Sequence, residues 1–162
     1  SGKIEFYSET FAKKKDALGR PVEPLPIYES RDWQPDSEYP FYLINWKEAS
    51  HTHTRTQNNA ILVELKPYNP LMMNIHTAKN LGISNGDSVW VESKYGRAKA
   101  VVKLTEGMHP EVVGLQHGFG HWAQGKIAKD RGTSDSALRP TRADPLSGQA
   151  MHKQCCVKVY RA

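Results

Sequence analysis

The sequence predicts a mainly β domain with short helices, its strands closed into a barrel and entered through an extended N-terminal connector. Three observations predict it. Ser88 to Lys94 and Arg97 to Leu104 face each other across Tyr95-Gly96, and in the second arm Ala98, Ala100, Val102 and Leu104 alternate with Lys99, Val101 and Lys103. That period of two gives one buried face. Several other short apolar runs end in turn residues, and closing such strands into a barrel removes exposed edges. Residues 1–40 carry Pro21, Pro24, Pro26, Pro35 and Pro40. Proline fixes φ and removes a donor, so this stretch lies on a surface outside the sheet.

Taken in order, a short helix is expected from about Glu9 to Leu18, beside Lys13-Lys14-Lys15. Strands are expected over Phe41 to Trp46 and Ala60 to Leu65. A helix from Asn74 to Leu81 follows, with Asn74 capping a free first-turn N–H and Gly82 stopping it in the left-handed conformation. Asn85-Gly86 supplies positive φ for a tight reversal into the 88–94 strand. Glu111 to Leu115 and Cys155 to Tyr160 read as the last two strands. Between them, residues 116–151 form a long loop-rich region, which is usually functional when it is ordered.

The bulk numbers narrow the function classes. The chain has 162 residues, 38% of them hydrophobic, and a net charge of +5. That length suits one domain with a real core. No apolar run approaches the roughly 20 residues needed to span a bilayer, and no signal peptide is visible. The basic excess fits a solvated surface or a ligand carrying phosphates. Nucleic acid is disfavoured, because the basic residues are scattered and no stacking aromatic signature accompanies them. Cys155 and Cys156 are adjacent, poor geometry for a disulfide within one strand, so packing or an exposed thiol is their expected role.

Three constellations carry chemistry. Ser50, His51, Thr52, His53, Thr54, Arg55 and Thr56, followed by Gln57-Asn58-Asn59, directly follow a strand and are dense in hydroxyl, imidazole, amide and guanidinium groups. This is either a solvated polar loop or a set of donors for phosphate or a heterocycle edge. His51 and His53, two apart, also raise a metal site with His117, His121 or His152. No cysteine or carboxylate ligand at a set spacing supports it, so no metal ligand is assigned. The second constellation is Gln116, His117, Gly118, Phe119, Gly120, His121 and Trp122, preceded by Gly114. Its glycines permit close approach of a ligand, and His and Trp supply a donor and a stacking face. A bulged strand with a satisfied histidine and a core tryptophan is the plainer reading. The third runs Ser134-Asp135-Ser136-Ala137-Leu138, then Asp144-Pro145-Leu146-Ser147-Gly148 and Lys153; Asp144-Pro145 alone reads as a simple turn. No Ser/His/Asp order, Cys-x-x-Cys pair or iron–sulfur ligand set is present, so no catalytic residue is assigned.

Ala78, Leu81, Gly82, Ile83, Gly86, Asp87 and Val89 resemble the Asp-Ala-x-x-Leu-Gly-Ile-x-x-Gly-Asp-x-Val core of a known domain, with Thr77 where Asp is frequent. This is the molybdopterin-dinucleotide-binding domain that ends the catalytic chains of the dimethyl-sulfoxide-reductase family. Gly118 to Trp122 are similar to its polysulfide, thiosulfate and arsenate reductase branch. The resemblance implies a double-psi β-barrel of the aspartate-decarboxylase-like type over residues 41–162, with residues 1–40 connecting it to an upstream domain. It implies cofactor contacts from Ser50 to Thr56, from Gln116, His117, Gly118, His121 and Trp122, and from Lys153. Ser136 stands where the family commonly has Asn, so a hydroxyl replaces an amide there. Asn74 and Thr77 would lie near the guanine end, as an alternative to capping alone.

The function so implied is to hold bis-guanine-dinucleotide pyranopterin, with molybdenum or tungsten, in an oxidoreductase catalytic subunit performing two-electron oxygen- or sulfur-atom chemistry. Any iron–sulfur cluster would sit upstream. The implied partners are the upstream domains and an iron–sulfur electron-transfer subunit, without nucleic acid or membrane insertion, and family resemblance favours an extracytoplasmic complex. The alternative is a cofactor-free barrel serving as a protein-interaction module.

Overall fold

The computed structural model describes residues 2–28, 33–123, 125–151 and 153–162. Six strands form a closed barrel: β1 (Phe41–Trp46), β2 (Leu71–Asn74), β3 (Ser88–Glu92), β4 (Arg97–Thr105), β5 (Val112–Gln116) and β6 (Cys156–Arg161). Their order around the barrel is β1-β5-β2-β4-β3-β6. Two pairs are parallel, β1 with β5 and β2 with β4; the other four are antiparallel, and β6 closes the ring against β1. Three short helices accompany them: α1 (Glu9–Ala12), α2 (Ala60–Leu65) and α3 (Ile75–Asn80). The expected mainly β, double-psi barrel class holds.

Alternation fills the core. Leu43, Leu71, Met73, Val89, Val91, Val113, Leu115 and Val157 are almost wholly buried, whereas the intervening Ile44 and Val101 face outward. Gly114 interrupts β5 on the outer face because a side chain there would run into the Trp46 ring. The 74–89 motif is explained by the same packing. Asn74 Oδ1 accepts from the amides of His76 at 2.8 Å and Thr77 at 3.4 Å, capping α3. Gly82 takes φ 65°, and the Ile83 amide returns to the Ala78 carbonyl at 2.8 Å, which tucks both apolar residues into the core. Asp87 Oδ2 accepts from the Ser84 amide at 2.9 Å and so shapes the turn into β3.

Register fixes which loops share an end. β1 and β5 run parallel with Trp46 opposite Gln116, and β2 runs against β5 with Met72 opposite Gly114. The exits of β1 and β5 and the entry of β2 therefore meet at one end of the barrel. The exit of β2, α3 and the 106–111 turn lie at the other, where Asn74 Nδ2 donates to the Met108 carbonyl and Thr77 Oγ1 to that of Pro110.

Three elements depart from the sequence expectation. Ala60 to Leu65 is a helix, not a strand. Asn59 caps it through the Leu62 amide, Ala, Leu and Glu favour helix, and the barrel closes without another strand. Only Val63 of α2 is buried, while Ile61 and Leu65 stay 71% and 69% exposed. The helix at Glu9 ends at Ala12 and not near Leu18, because Asp16 draws the amides of Leu18 (2.8 Å) and Arg20 (2.9 Å) into a turn. β2 escaped notice because four residues between Pro70 and a helix cap show too little alternation. The 116–151 region is loop-rich as expected, with one 3₁₀ turn, Asp135–Leu138, among its described residues.

Residues 2–28 group with 141–151 as a smaller unit, while residues 33–40 belong with the barrel, where Tyr39 is buried. The sequence boundary was set at residue 40. Within the smaller unit the Ala17 amide donates to the Pro145 carbonyl at 2.9 Å, and Asp144 accepts from the Ser147 amide (2.7 Å) and hydroxyl (2.8 Å) in the expected turn. Among the described residues no helix is long and apolar enough to cross a membrane.

Cys155 is buried with Sγ 2.9 Å from the Leu138 carbonyl, and half-buried Cys156 has its thiol pushed up to about 11 by burial. Near pH 8 the native chain should alkylate at Cys156 roughly a hundredfold more slowly than the urea-unfolded chain, since the thiolate is the nucleophile. Timed iodoacetamide labelling with mass spectrometry checks this.

Candidate functional site

At the end of the barrel where β1 and β5 exit, a cleft of about 320 Å³ opens between loops. Thr54, His117, Gly118, Phe119, Gly120, His121, Trp122, Ala123, Ser134, Asp135 and Ser136 line it. Its volume falls in the range of ligand clefts.

Side-chain amides and glycines hold these loops together. Asn69, 1% exposed, donates to the carbonyls of Gln116 (2.7 Å) and Thr133 (2.9 Å) and accepts from the Thr133 amide at 2.7 Å. Asn58 Oδ1 accepts from the amides of Ile127 (3.3 Å) and Ala128 (3.1 Å). Gly118, at φ 101°, packs so closely that a Cβ would lie 2.7 Å from the His53 carbonyl carbon. Gly120, at φ 79°, leaves the same 2.7 Å against Thr133 and Ser134 backbone. Both glycines are required by conformation and by contact.

The histidines separate by role. His51 is buried and serves the loop: its Nε2 donates to the Lys66 carbonyl at 3.0 Å, Nδ1 lies 3.2 Å from Thr56 Oγ1, and its ring meets Phe119 edge-on at 5.5 Å. Thr56 also accepts from the Thr52 amide. His53, at φ 51°, sets its ring 5.4 Å from that of His117. His117 borders the cleft, with Nδ1 2.8 Å from Asp135 Oδ1 and its amide donating to the Trp46 carbonyl. Asp135 Oδ2 accepts in turn from Asn45 Nδ2 at 2.9 Å and Arg139 Nε at 3.0 Å. His121 Nε2 is buried with no hydrogen-bond partner among the described residues, as is Ser50 Oγ.

Of the residues singled out in the sequence, Thr54, His117, Gly118, His121, Trp122 and Ser136 meet at the cleft. His53 stands behind His117, and Arg55 is exposed next to Thr54. Ser50, His51, Thr52 and Thr56 support the loop. Gln116 is buried against Glu48, to which its Nε2 donates. Lys153 is exposed and does not line the cleft. Asn74 and Thr77 lie at the opposite end of the barrel with their side chains committed to caps and turn carbonyls. His51 and His53 diverge rather than sharing an ion, His152 lies outside the described residues, and among the described residues no group of three His, Cys, Asp or Glu is placed to hold a metal.

Sequence reasoning missed Asn45, Asn69 and Arg139, and it named Asp135 only as part of the Ser134 to Leu138 run, without a role. Asp135 and Arg139 carry a readable signal, opposite charges four apart in a loop that must pack. Asn45 and Asn69 carry none, because an isolated Asn beside a strand reads as a turn residue.

Residues 41–156 match the family model for the molydopterin dinucleotide binding domain. The chain belongs to that family. It is 33% identical over 94% of its length to the thiosulfate reductase molybdopterin-containing subunit PhsA of Salmonella typhimurium, covering 19% of that protein. It is 31% identical over 90% of its length to the arsenate respiratory reductase molybdopterin-containing subunit ArrA of Chrysiogenes arsenatis, covering 21% of it. The structure superimposes on acetylene hydratase from Pelobacter acetylenicus with a TM-score of 0.79 and 24% identity, over 99% of this chain and 24% of that one. That likeness supports the fold. The chain thus spans about a fifth of the curated relatives it matches.

Replacing Asn69 with Ala leaves three buried backbone groups unpaired and should lower stability by about 3 kcal/mol or more. Urea unfolding of Asn69→Ala against wild type measures the loss, and a difference below about 1 kcal/mol would contradict the clamp.

Proposed function

We propose that this molydopterin dinucleotide binding domain serves a molybdenum or tungsten oxidoreductase catalytic subunit, holding a bis-guanine-dinucleotide pyranopterin at the three-loop cleft. The observation that carries the reading is the cleft's chemistry: an imidazole nitrogen of His121 buried without a partner, beside His117, Thr54 and Ser136. A buried polar atom costs free energy unless a ligand satisfies it, so the residues present fit a polar heterocycle carrying phosphates.

When bound, the cofactor supplies the two-electron oxygen- or sulfur-atom chemistry through its metal and dithiolenes. The chain's own residues bind and orient. His117 and His121 address the heterocycle's polar edge, and the Thr54 and Ser136 hydroxyls adapt as donors or acceptors. Arg55 offers a forked cation for phosphate. Trp122, 81% exposed at the rim, presents a flat apolar face that excludes water once covered. Asn74 and Thr77 are assigned to capping, given their hydrogen bonds and their distance from the cleft. The upstream domains of the same subunit would complete the site and set the substrate, and an iron–sulfur subunit would deliver electrons.

Anaerobic purification of the full-length subunit, followed by release of guanine nucleotide and pterin, tests this. About two nucleotides per metal support the bis form. Arg55→Ala and His117→Ala should each lower occupancy several-fold without unfolding the barrel. Full occupancy in both would remove these loops from the site. A folded subunit lacking metal and pterin would favour the interaction-module alternative.

A further inference from the structure

We infer that Asp135 is a positioning residue: its buried carboxylate holds the His117 ring with Nδ1–H inward, so that Nε2 is the nitrogen offered to the cleft. This rests on the reading of the cleft as the cofactor site.

Geometry sets the proton's place. Asp135 Oδ1 lies 2.8 Å from His117 Nδ1, and an ionised carboxylate only accepts, so the hydrogen belongs to Nδ1. The other oxygen accepts from Asn45 and Arg139, which pins the carboxylate plane from two sides. Around the ring, the His117 amide is tied to the Trp46 carbonyl at 3.0 Å, and the His53 ring packs edge-on against it at 5.4 Å and 76°. A flipped ring would lose the Asp135 bond and set a C–H against a buried charge.

Stability alone does not account for the cluster. The side chains of Asp135 and Arg139 are only 2% and 4% exposed, and buried ion pairs commonly add little over well-packed apolar residues. Asn45 comes from β1, His117 from the exit of β5, and Asp135 and Arg139 from the 3₁₀ turn and its end. Among the charged or ionisable members, His117 alone reaches solvent, with its side chain 32% exposed. Opposed charges on Asp135 and Arg139 make the cluster a director of hydrogen-bond polarity more than a source of net field. The same logic, a buried carboxylate fixing one imidazole tautomer, operates wherever a histidine must present a defined nitrogen. With His117 neutral, Nε2 is an acceptor and selects an N–H of its ligand; the wrong tautomer would present a donor there.

The test uses the full-length subunit with ¹⁵N-labelled histidine, read by solid-state NMR in cofactor-stripped and loaded forms, with His117 signals assigned by their loss in His117→Ala. Wild type should show the Nδ1–H tautomer when neutral; a dominant Nε2–H tautomer overturns the inference without any variant. Asp135→Asn should raise the Nε2–H population and lower cofactor retention about tenfold, the scale on which losing an orienting partner weakens a bound group. In the His117→Ala background the same change should cost nothing further. Equal retention in Asp135→Asn and wild type, or the same loss with and without His117, would make Asp135 merely structural. A wild-type subunit that carries no cofactor sinks the site reading, while the tautomer result stands by itself.

Discussion

One buried carboxamide holds the functional end of this protein together. Asn69 bonds three backbone groups on two segments, and its partner Thr133 lies 64 residues away in sequence. It gives the end of β5 and the loop containing Ser134 to Ser136 a shared anchor, to which the His117–Asp135 bond adds a second. The side chain is nearly inaccessible, so these bonds do not compete with water. Thr133 extends the clamp by donating from Oγ1 to the Lys99 carbonyl at 2.7 Å, linking the same loop to β4. The barrel supplies a rigid rim, and the clamp converts loose connections into a wall.

The division of labour is clear in the polar loops. A run of hydroxyls and imidazoles looks like a uniform ligand surface, yet most of it is internal scaffolding. His51 and Thr56 satisfy each other and the Lys66 carbonyl, which leaves Thr54 to face the cleft and Arg55 exposed beside it. The glycine-rich segment behaves similarly. Gly118 and Gly120 permit backbone-to-backbone contact with His53 and Thr133; Phe119 between them is buried against His51, and His121 and Trp122 after them border the cleft.

Much of the fold was legible, for identifiable reasons. The 88–104 hairpin announces itself through Ala98, Ala100, Val102 and Leu104 recurring at every second position of β4, and α3 through a cap, a turn and a glycine stop. Ala60 to Leu65 misled because a six-residue apolar run has no diagnostic period. Its cap, Asn59, was the discriminating residue and sat inside a loop already rich in Asn. Around the cleft, motif likeness singled out His117, His121 and Trp122, which the fold brings together there. It carried no information about Asn45 or Asn69, whose importance arises from which carbonyls happen to lie beside them after folding. Long-range hydrogen bonding of that kind leaves no local pattern.

The parallel pairing of β1 with β5 joins Trp46 to Gln116, and α2, β2, α3, β3 and β4 all lie in the chain between them. Closing so large a loop is entropically slow compared with forming the 88–104 hairpin. The chain therefore acquires its local elements early and its cleft late, because the cleft exists only once β1 and β5 exit side by side. A pterin dinucleotide would meet no pocket on a half-folded chain. On the proposed reading of the cleft, the polypeptide would assemble first and its cargo would enter afterwards.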